Sequence, residues 1–415
     1  MFIDAVKTEV RVPVVENQKW APIDIVMDSL NRGQMGDAEM LRYLYQGQII
    51  FDHSDRQWYF FKGHAWEKDR TRQVIHLVSN QVAAQYLHTA AALKSIDSDE
   101  SKIKELTVRA FSLRQKSRIE DVLALAATLP ELAITGEEWH KDSLLLAVPN
   151  GVVDLHNGAE FREGKPEDFL RDCIPTEWKG LDEPAPRWEK FLLEIFNNDV
   201  ELVQFVQRLF GYGLTGLATD DKFPILWGEG RNGKDTLLET IEAVLSNSIA
   251  APVQSEVLVN TDKNANAATP HLVALRNRRI VWVNETNEGA RINGGQVKLL
   301  TGGGTIAARP LYGQSIEFKP THLIMLMTNH KPHTGDDDAI WKRILLIEFG
   351  QRFVDEPQAA NEHPCDPMLS EKLKSEASGI LAWLVRGAVA WQEKGLLPPK
   401  SVSDSTKEYR SKEDV

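Results

Sequence analysis

The residues with the clearest chemical signature follow the apolar run FPILW at residues 223–227. They are Gly228, Glu229, Gly230, Arg231, Asn232, Gly233, Lys234, Asp235 and Thr236. Gly228, Gly233 and Lys234 have the GxxxxGK spacing of a phosphate-binding loop. Glycines let backbone N–H groups surround a phosphate, the following helix adds the positive end of its dipole, and the lysine neutralises the outer phosphate oxygens. The segment therefore predicts an ATP site, and a plain Gly-rich turn is the alternative.

One position of this loop departs from the usual pattern. Asp235 stands where a Ser or Thr hydroxyl normally binds Mg²⁺. A carboxylate is a hard oxygen ligand that can bind the metal itself, and Thr236 can supply a hydroxyl. Alternatively, the negative charge of Asp235 beside the phosphates weakens binding. These possibilities stay open, so Asp235 and Thr236 are both candidate Mg²⁺ ligands.

Polar residues also follow two other apolar runs. Asn284 and Glu285 come after RIVWV at residues 279–283, and Thr328 and Asn329 come after LIMLM at residues 323–327. Ligands bind at the carboxyl ends of parallel strands. We therefore expect Glu285 to orient or deprotonate the attacking water, Asn284 and Glu285 to serve the metal, and Asn329 to contact the terminal phosphate or hold the water. Ordinary strand-end polar residues are the alternative.

A basic pair, Lys342 and Arg343, precedes the last apolar run, ILLIEF at residues 344–349. An arginine that reaches ATP bound to a neighbouring subunit stabilises the charge that develops in phosphoryl transfer. Arg343 is therefore predicted to be catalytic. The alternative is a solvated surface pair.

The elements that must position these residues form an α/β core with a parallel sheet, because short apolar strands alternate with helical stretches from residue 222 onward. Pro184 and Pro186 mark a boundary, after which an amphipathic helical region leads to a predicted helix stop at GYGLTG, residues 211–216. The predicted domains are a mixed α+β N-terminal domain at 1–183, a helical oligomerisation or linker region at 184–221, an ATPase core at 222–350 and a helical tail at 351–415. The tail ends as if a helix were cut in mid-course, which suggests a piece of a longer protein.

Three local patterns are predicted before the core. An aromatic hairpin spans residues 57–66, a helical stripe spans residues 74–86, and an Asn150-Gly151 turn joins two apolar runs.

Composition excludes several classes of protein. No apolar run approaches the ~18 to 20 residues that a membrane span needs. Cys173 and Cys365 are the only cysteines, which excludes a disulfide scaffold or a cysteine zinc site and favours a reducing cytoplasm. The net charge is −12, from 48 Lys plus Arg and 60 Asp plus Glu. Because proteins that coat nucleic acid are usually basic, any contact with DNA must be local.

The order of these motifs resembles that of superfamily 3 helicases. Within them, the similarity is greatest to the primase-helicases of phages and plasmids, and poxvirus primase-helicases are more distant. The segments that carry it are GEGRNGKDT (228–236), RIVWVNETNEG (279–289), KLLTGGGTIAARPLY (298–312), FKPTHLIMLMTNHKP (318–332) and WKRILLIEF (341–349). NGVVDL at 150–155 resembles the domain that precedes the motor in those proteins. The resemblance covers roughly residues 145 to 410, and residues 1 to 140 match only loosely.

The resemblance implies an AAA-like P-loop motor that forms hexameric rings with ATP at the subunit interfaces. It also implies a β-hairpin that projects into the central pore, here Ile306 to Phe318, with its turn near Tyr312. The residues agree with this, because cations and an aromatic ring on one projecting element suit single-stranded DNA. The predicted DNA-binding residues are Lys298, Arg309, Tyr312 and Lys319. An edge hairpin with routine surface charges is the alternative.

The predicted function is an ATP- and Mg²⁺-dependent replicative helicase that translocates on single-stranded DNA and unwinds replication forks. A primase or a polymerase is a candidate partner, and a bacterial host cytoplasm is expected if the chain is phage- or plasmid-encoded. No paired-carboxylate constellation is evident in residues 1–140, so full primase activity is not expected. The main alternative is an ATP-switched, DNA-binding assembly module that does not unwind. A small-molecule kinase would not explain the hairpin or Arg343.

Overall fold

The computed structural model describes residues 19–96, 99–258, 268–284, 291–334 and 337–413. Contacts divide the chain into two compact units, Met1–Lys141 and Asp142–Val415. None of the helices within the described ranges is long and apolar enough to cross a membrane.

The first unit combines helices with a four-stranded sheet in the order β3-β2-β1-β4. Its helices are α1 (Ile23–Asn31), α2 (Gly33–Tyr45), α3 (Val74–His76), α4 (Ala83–Ser95), α5 (Glu100–Ser112) and α6 (Lys116–Ala126), and its strands are β1 (Ile49–Asp52), β2 (Gln57–Phe61), β3 (Trp66–Lys68) and β4 (Ala133–Ile134). The predicted aromatic hairpin is confirmed, because β2 and β3 pair antiparallel with Phe61 opposite Trp66. The predicted helical stripe is also confirmed, with Val78 and Tyr86 fully buried.

The second unit contains the strands and helices of the predicted core. Its strands are β5 (Leu145–Val148), β6 (Gly151–Asp154), β7 (Glu160–Arg162), β8 (Phe223–Trp227), β9 (Ala250–Val253), β10 (Ile280–Asn284), β11 (Ile306–Ala308), β12 (Ile316–Phe318), β13 (Leu323–Thr328), β14 (Ile344–Glu348), β15 (Arg352–Val354) and β16 (Glu362–Pro364). Its helices are α7 (Pro186–Ile195), α8 (Val200–Thr215), α9 (Lys234–Leu245), α10 (Pro270–Val273), α11 (Gly294–Thr301), α12 (Asp338–Trp341), α13 (Leu369–Ser375), α14 (Ala377–Lys394) and α15 (Lys400–Glu413).

A five-stranded parallel sheet forms the centre of this unit, in the order β14-β8-β13-β10-β9. The first four residues of β8, β10, β13 and β14 are all buried. Strands covered on both faces appear in sequence as continuous apolar runs, which is why these four were predicted. The α/β architecture with a parallel sheet is therefore confirmed. β9 was not predicted, because its sequence AAPV is short and weakly apolar.

Two helices approach each other closely on this unit. A Cβ atom at Gly211 of α8 would lie 2.1 Å from backbone atoms of α14, and one at Gly387 of α14 would lie 2.1 Å from the Gln207 carbonyl oxygen. Glycine at both positions therefore permits the contact. α8 ends at Thr215 and is capped by Gly216, which has a φ of 70°, so the predicted stop in GYGLTG is confirmed.

Residues 142–183 pack within the second unit. Leu146 and Val153 belong to the same buried cluster as Trp188. Arg279, itself buried, donates hydrogen bonds to the carbonyl oxygens of Leu145 at 2.6 Å and Leu214 at 2.7 Å. The limit at 183/184 suggested by the two prolines therefore falls inside this unit.

The hairpin of β5 and β6 differs from the prediction by one position. Val148 pairs with Gly151, so Pro149 and Asn150 form the two-residue connection. The predicted turn at Asn150-Gly151 was therefore wrong by one residue. Gly151 belongs to the strand, where a Cβ atom would lie 2.5 Å from the Phe161 ring.

Candidate functional site

The carboxyl ends of the central strands meet at one edge of the parallel sheet. Trp227 at the end of β8 pairs with Thr328 of β13 on one side and with Glu348 of β14 on the other. Asn284 at the end of β10 pairs with Met327 of β13. The polar residues predicted at strand ends therefore share an edge, as expected for a parallel sheet.

The glycine loop (residues 228–233) connects β8 to α9 at this edge. Gly233 has a φ of 90° and directly precedes the helix. A Cβ atom there would lie 2.6 Å from Ile195 and 3.3 Å from the Phe191 ring, both on α7. Backbone conformation and packing thus both require glycine at the point where the chain enters the helix.

Lys234 is buried, with an exposed fraction of 2%, and its ammonium group is surrounded by oxygens. Its Nζ donates to the carbonyl oxygen of Gly228 at 2.5 Å, to Asn232 Oδ1 at 3.1 Å and to Asn329 Oδ1 at 3.2 Å. These three acceptors match the three protons of an ammonium group. Burial lowers the pKa of Lys234 to about 8, while the nearby carboxylate of Asp235 opposes the shift.

Asn232 holds the loop in place from within. It is buried, its Nδ2 donates to the Phe349 carbonyl oxygen at 3.4 Å, and its Oδ1 also accepts from the backbone N–H of Lys234 at 3.3 Å. The backbone N–H of Phe353 donates to the Arg231 carbonyl oxygen at 2.7 Å. Its position shows that Asn232 orients Lys234, and its predicted contact with the nucleotide stays a prediction. Glu229, Gly230 and Arg231 are exposed.

The first turn of α9 presents its backbone to the site. The side chain of Asp235 is exposed and Thr236 is half-buried. Within the described part of the chain, the backbone N–H groups of Asp235 and Thr236 have no hydrogen-bond acceptor. Such unpaired donors, with the helix dipole behind them, suit an anion.

Three of the four predicted metal ligands, Asp235, Thr236 and Asn284, lie within the described residues. Asn284 is exposed at the end of β10, and Glu285 lies outside the described residues. No group of three or more His, Cys, Asp and Glu side chains in the described ranges is arranged to hold a metal ion. Mg²⁺ commonly takes only one or two protein carboxylates besides substrate phosphates and water, so the roles of Asp235, Thr236, Asn284 and Glu285 stay predictions.

Arg343 directly precedes β14 and so lies at the amino ends of the strands, whereas the glycine loop lies at their carboxyl ends. Its carbonyl oxygen accepts from the N–H of Phe223, the first residue of β8. Its guanidinium donates to Thr301 Oγ1 at 3.1 Å, to the Ala339 carbonyl oxygen at 2.9 Å and to Asp221 Oδ2 at 3.3 Å. Within one chain, Arg343 is therefore not brought together with Lys234, Asn284 and Asn329.

The predicted hairpin is present, with Ile306 opposite Phe318 in the pair β11–β12. Tyr312 lies in its turn with an exposed fraction of 98%. Arg309 is exposed, with Nε donating to the Gly313 carbonyl oxygen at 3.2 Å, and Lys319 is exposed just after β12. Lys298 differs from these, because it lies on α11 and pairs with Asp337.

A cleft of about 1470 Å³ beside the glycine loop was not predicted from the sequence. We call it the α9 cleft, and its walls come from α7, the exposed face of α9, β15, β16 and α13. Lys331 was also missed. Its Nζ lies 3.9 Å from the centre of the Trp227 ring and 3.3 Å from Glu348 Oε1, and the only signal was its place two residues after Asn329.

Two family models match the chain. The model described as "D5 N terminal like" matches residues 38–197. A family of unknown function, DUF5906, matches residues 226–343, which include the glycine loop, Asn329 and Arg343.

Several viral proteins are similar in sequence. The candidate helicase L207/L206 of Acanthamoeba polyphaga mimivirus is 27% identical over 381 residues, which cover 86% of this chain and 40% of that protein. The candidate helicase 022R of Frog virus 3 is 25% identical over 61% of this chain and 27% of its own length. The candidate primase C962R of African swine fever virus is 22% identical over 53% of this chain and 23% of its own length. This chain thus spans less than half the length of these relatives.

A solved structure, the apo C-terminal region of NrS-1, is 12% identical, covers 89% of this chain and 75% of that chain, and has a TM-score of 0.48.

Proposed function

Because the chain belongs to the phage and viral primase-helicase family, we propose that it is the ATP-driven motor of a replicative helicase. In this proposal the glycine loop and the start of α9 bind the phosphates of ATP. Hydrolysis then drives single-stranded DNA past the hairpin of β11 and β12. Helicase and primase are names of the relatives, and unwinding by this chain is the proposal.

The arrangement around Lys234 carries the proposal. Lys234 is a buried cation whose three hydrogen-bond acceptors are neutral oxygens, so an adjacent anion would stabilise its charge further. Lys234 lies between Gly228 and Asn329, next to the N–H groups of Asp235 and Thr236, for which the described residues offer no acceptor. Phosphate oxygens are the ligands that this set of donors fits best.

The strand order supports an AAA-like P-loop core. β8 lies between β13 and β14, whereas the next strand along the chain, β9, lies at the far edge of the sheet. The direction of strand progression thus reverses beside β8, and ligands of open α/β sheets bind in the crevice at such a point. The glycine loop follows β8 directly and opens into that crevice.

The chemistry follows from these positions. Bound ATP with Mg²⁺ supplies the phosphoryl group that is transferred to water. Lys234 and the N–H groups of Asp235 and Thr236 hold the phosphates, and the side chains of these two residues, with Asn284, are the candidate metal ligands. Glu285 directly follows Asn284 and would take a proton from the attacking water, while Asn329 would orient that water.

The distance between the amino and the carboxyl ends of the strands favours a ring. A strand of five residues is about 16 Å long, so Arg343 at the amino end of β14 lies too far from the glycine loop of its own chain. An arginine finger on this residue would serve the ATP of a neighbouring subunit. Its bond to the half-exposed Asp221 would then be exchanged for a bond to phosphate. A closed ring of copies, six in the proposal, provides such interfaces.

The hairpin is the proposed DNA element. Tyr312 offers an almost completely exposed ring for stacking, and Arg309 and Lys319 offer cations for the phosphate backbone. Repetition around a ring concentrates these charges in the pore, which reconciles DNA binding with the net charge of −12. Lys298 contributes less, because Asp337 compensates its charge.

A second function is an ATP switch that binds DNA without unwinding it. Asp235 favours this alternative, because its exposed carboxylate stands where a hydroxyl group usually binds the metal. If this carboxylate positions Mg²⁺ less well than a hydroxyl group does, hydrolysis slows, while Lys234 and the backbone N–H groups still hold the phosphates.

Strand displacement measured beside ATP hydrolysis separates the two functions. We expect the intact chain to hydrolyse ATP faster with single-stranded DNA and to separate a forked duplex. An Asp235→Ser variant, which restores the usual hydroxyl group, is the matched comparison. ATP turnover without strand separation in both proteins would favour the switch, and no turnover in either would exclude the motor.

A further inference from the structure

The α9 cleft begins at the phosphate site that we propose and extends away from it. Gly233, Asp235 and Thr236 form its near end. Small-molecule pockets commonly occupy ~300–1,000 Å³, and the cleft measures about 1470 Å³. It therefore holds more than a phosphate chain. A nucleotide whose phosphates lie on the glycine loop must extend its ribose and base in some direction, and this cleft provides the space.

Two aromatic rings form one wall of the cleft. Phe353 of β15 and His363 of β16 pack with their centroids 5.5 Å apart and their planes 31° from each other. Both are half-buried, so part of each ring faces the cleft. The side chain of Gln351 lies 2.8 Å from His363 Nε2 and fixes the orientation of that ring.

This aromatic wall is tied to the glycine loop. The backbone N–H of Phe353 donates to the carbonyl oxygen of Arg231 at 2.7 Å, inside the loop itself. The pairing of β15 with β16, in which Phe353 is opposite His363, then positions the second ring. The distance between the phosphate donors and the aromatic rings is thus set by backbone hydrogen bonds.

The other walls are mixed, because Phe191 and Leu369 add apolar surface and α7 and α9 add polar side chains. Glu239 follows Asp235 by one helical turn on α9 and is exposed to the cleft, and Arg187 and Lys190 contribute cations from α7. A carboxylate suits the hydroxyl groups of a ribose. Aromatic and apolar side chains together with a few polar groups are the lining expected of a small-molecule site, and they suit a nucleoside.

We propose that the α9 cleft binds the nucleoside of the nucleotide, with the purine base stacked on Phe353 and His363. The inference rests on the proposed function, because it takes the phosphates to lie on the glycine loop. Selectivity between nucleotides would then depend on β15 and β16 and not on the glycine loop. Purine nucleotides should bind more tightly than pyrimidine nucleotides, because the larger base covers more of the aromatic wall.

Calorimetry of the intact chain with Mg²⁺ and two ligands, ATP and ribose 5′-triphosphate, tests the assignment. Stacking of a base on an aromatic side chain should make ATP bind roughly 5- to 150-fold more tightly than the base-free ligand. Phe353→Leu keeps apolar packing and the backbone bond to Arg231 but removes the flat ring. It should reduce this ratio severalfold while the affinity for ribose 5′-triphosphate stays unchanged.

Two further variants make the test decisive. His363→Ala removes the second ring without touching the loop and should also reduce the ratio. Phe111→Leu changes an exposed phenylalanine on α5, outside the cleft, and should leave both affinities unchanged. If the parent binds neither ligand, the phosphate site itself fails. If the parent binds both equally, or if both cleft variants keep the parental ratio, the nucleoside site is wrong and the phosphate site stands.

Discussion

The ionisation of Lys234 makes nucleotide binding depend on pH in a specific way. Burial lowers the pKa of Lys234 to about 8 in the free protein. Bound phosphate oxygens favour the protonated form, so the pKa rises in the complex. Above pH 8 the protein must therefore take up a proton when it binds ATP, and below this pH it binds ATP with the proton already in place.

The size of this effect follows from the pKa. At pH 9 about 90% of a group with a pKa of 8 is neutral, so binding takes up ~0.9 proton, whereas at pH 7 it takes up ~0.1. Between these two pH values ATP affinity falls roughly tenfold, or ~1.4 kcal/mol. The stability of the free protein changes in the opposite direction. The pKa in the folded state lies below that of an unfolded lysine, so the unfolded chain binds more protons. The free energy of unfolding therefore increases by about the same amount as the pH rises from 7 to 9.

Isothermal titration calorimetry with ATP and Mg²⁺ in two buffers of different ionisation enthalpy measures the uptake. Phosphate titrates near pH ~6 and contributes little at pH 8 to 9. Lys234→Arg is the control, because arginine stays protonated over this range; any binding that it retains should involve no proton uptake. Uptake below ~0.2 proton at pH 9 in the parent, or an equal uptake in the arginine variant, would refute the reasoning.

Three further predictions concern catalysis, the ring and DNA. Glu285→Gln should bind ATP normally and hydrolyse it at least ~10²-fold more slowly, as measured by equilibrium binding beside turnover. Arg343→Ala should bind nucleotide normally but lose up to ~10³-fold or more in turnover, and mixing with Lys234→Ala subunits should restore part of it, since some interfaces then combine an intact loop with an intact arginine. Tyr312→Ala combined with Lys319→Glu should weaken binding to single-stranded DNA at ~0.1 M salt and reduce unwinding, while ATPase activity without DNA is kept.

Each of these predictions has a contradicting result. If Glu285→Gln loses binding and hydrolysis together, the residue is structural. Absence of rescue in verified mixed rings would exclude a role of Arg343 across the interface. Parental affinity of the Tyr312 and Lys319 double variant for single-stranded DNA would mean that the hairpin is not the DNA element.

The parts of the fold that could be predicted are those with strong local patterns. The strands β8, β10, β13 and β14 are buried on both faces, and the resulting apolar runs gave their positions to within about one residue. The glycine loop was predictable because its backbone conformation requires glycine at Gly233. Parallel strands that end at one edge also explain why Asn329 could be placed near Lys234 before any geometry was known.

The parts that could not be predicted depend on contacts between distant segments. The α9 cleft is formed by helices and strands from residue 187 to residue 374, and no local pattern connects Phe353 to the glycine loop. The bond between Arg343 and Asp221 spans 122 positions. The turn at Pro149-Asn150 was misplaced by one residue because Asn-Gly is the stronger local signal, whereas the packing of Gly151 against Phe161 determines the register.

ATP hydrolysis by the intact chain, with and without single-stranded DNA, is the measurement that tests the central claim most directly. The parent should turn over ATP, and single-stranded DNA should increase the rate. Lys234→Ala should abolish turnover under both conditions, because it removes the ammonium group that lies between Gly228 and Asn329, while its thermal unfolding transition stays cooperative. Turnover by a folded Lys234→Ala variant at a rate near that of the parent would contradict the account.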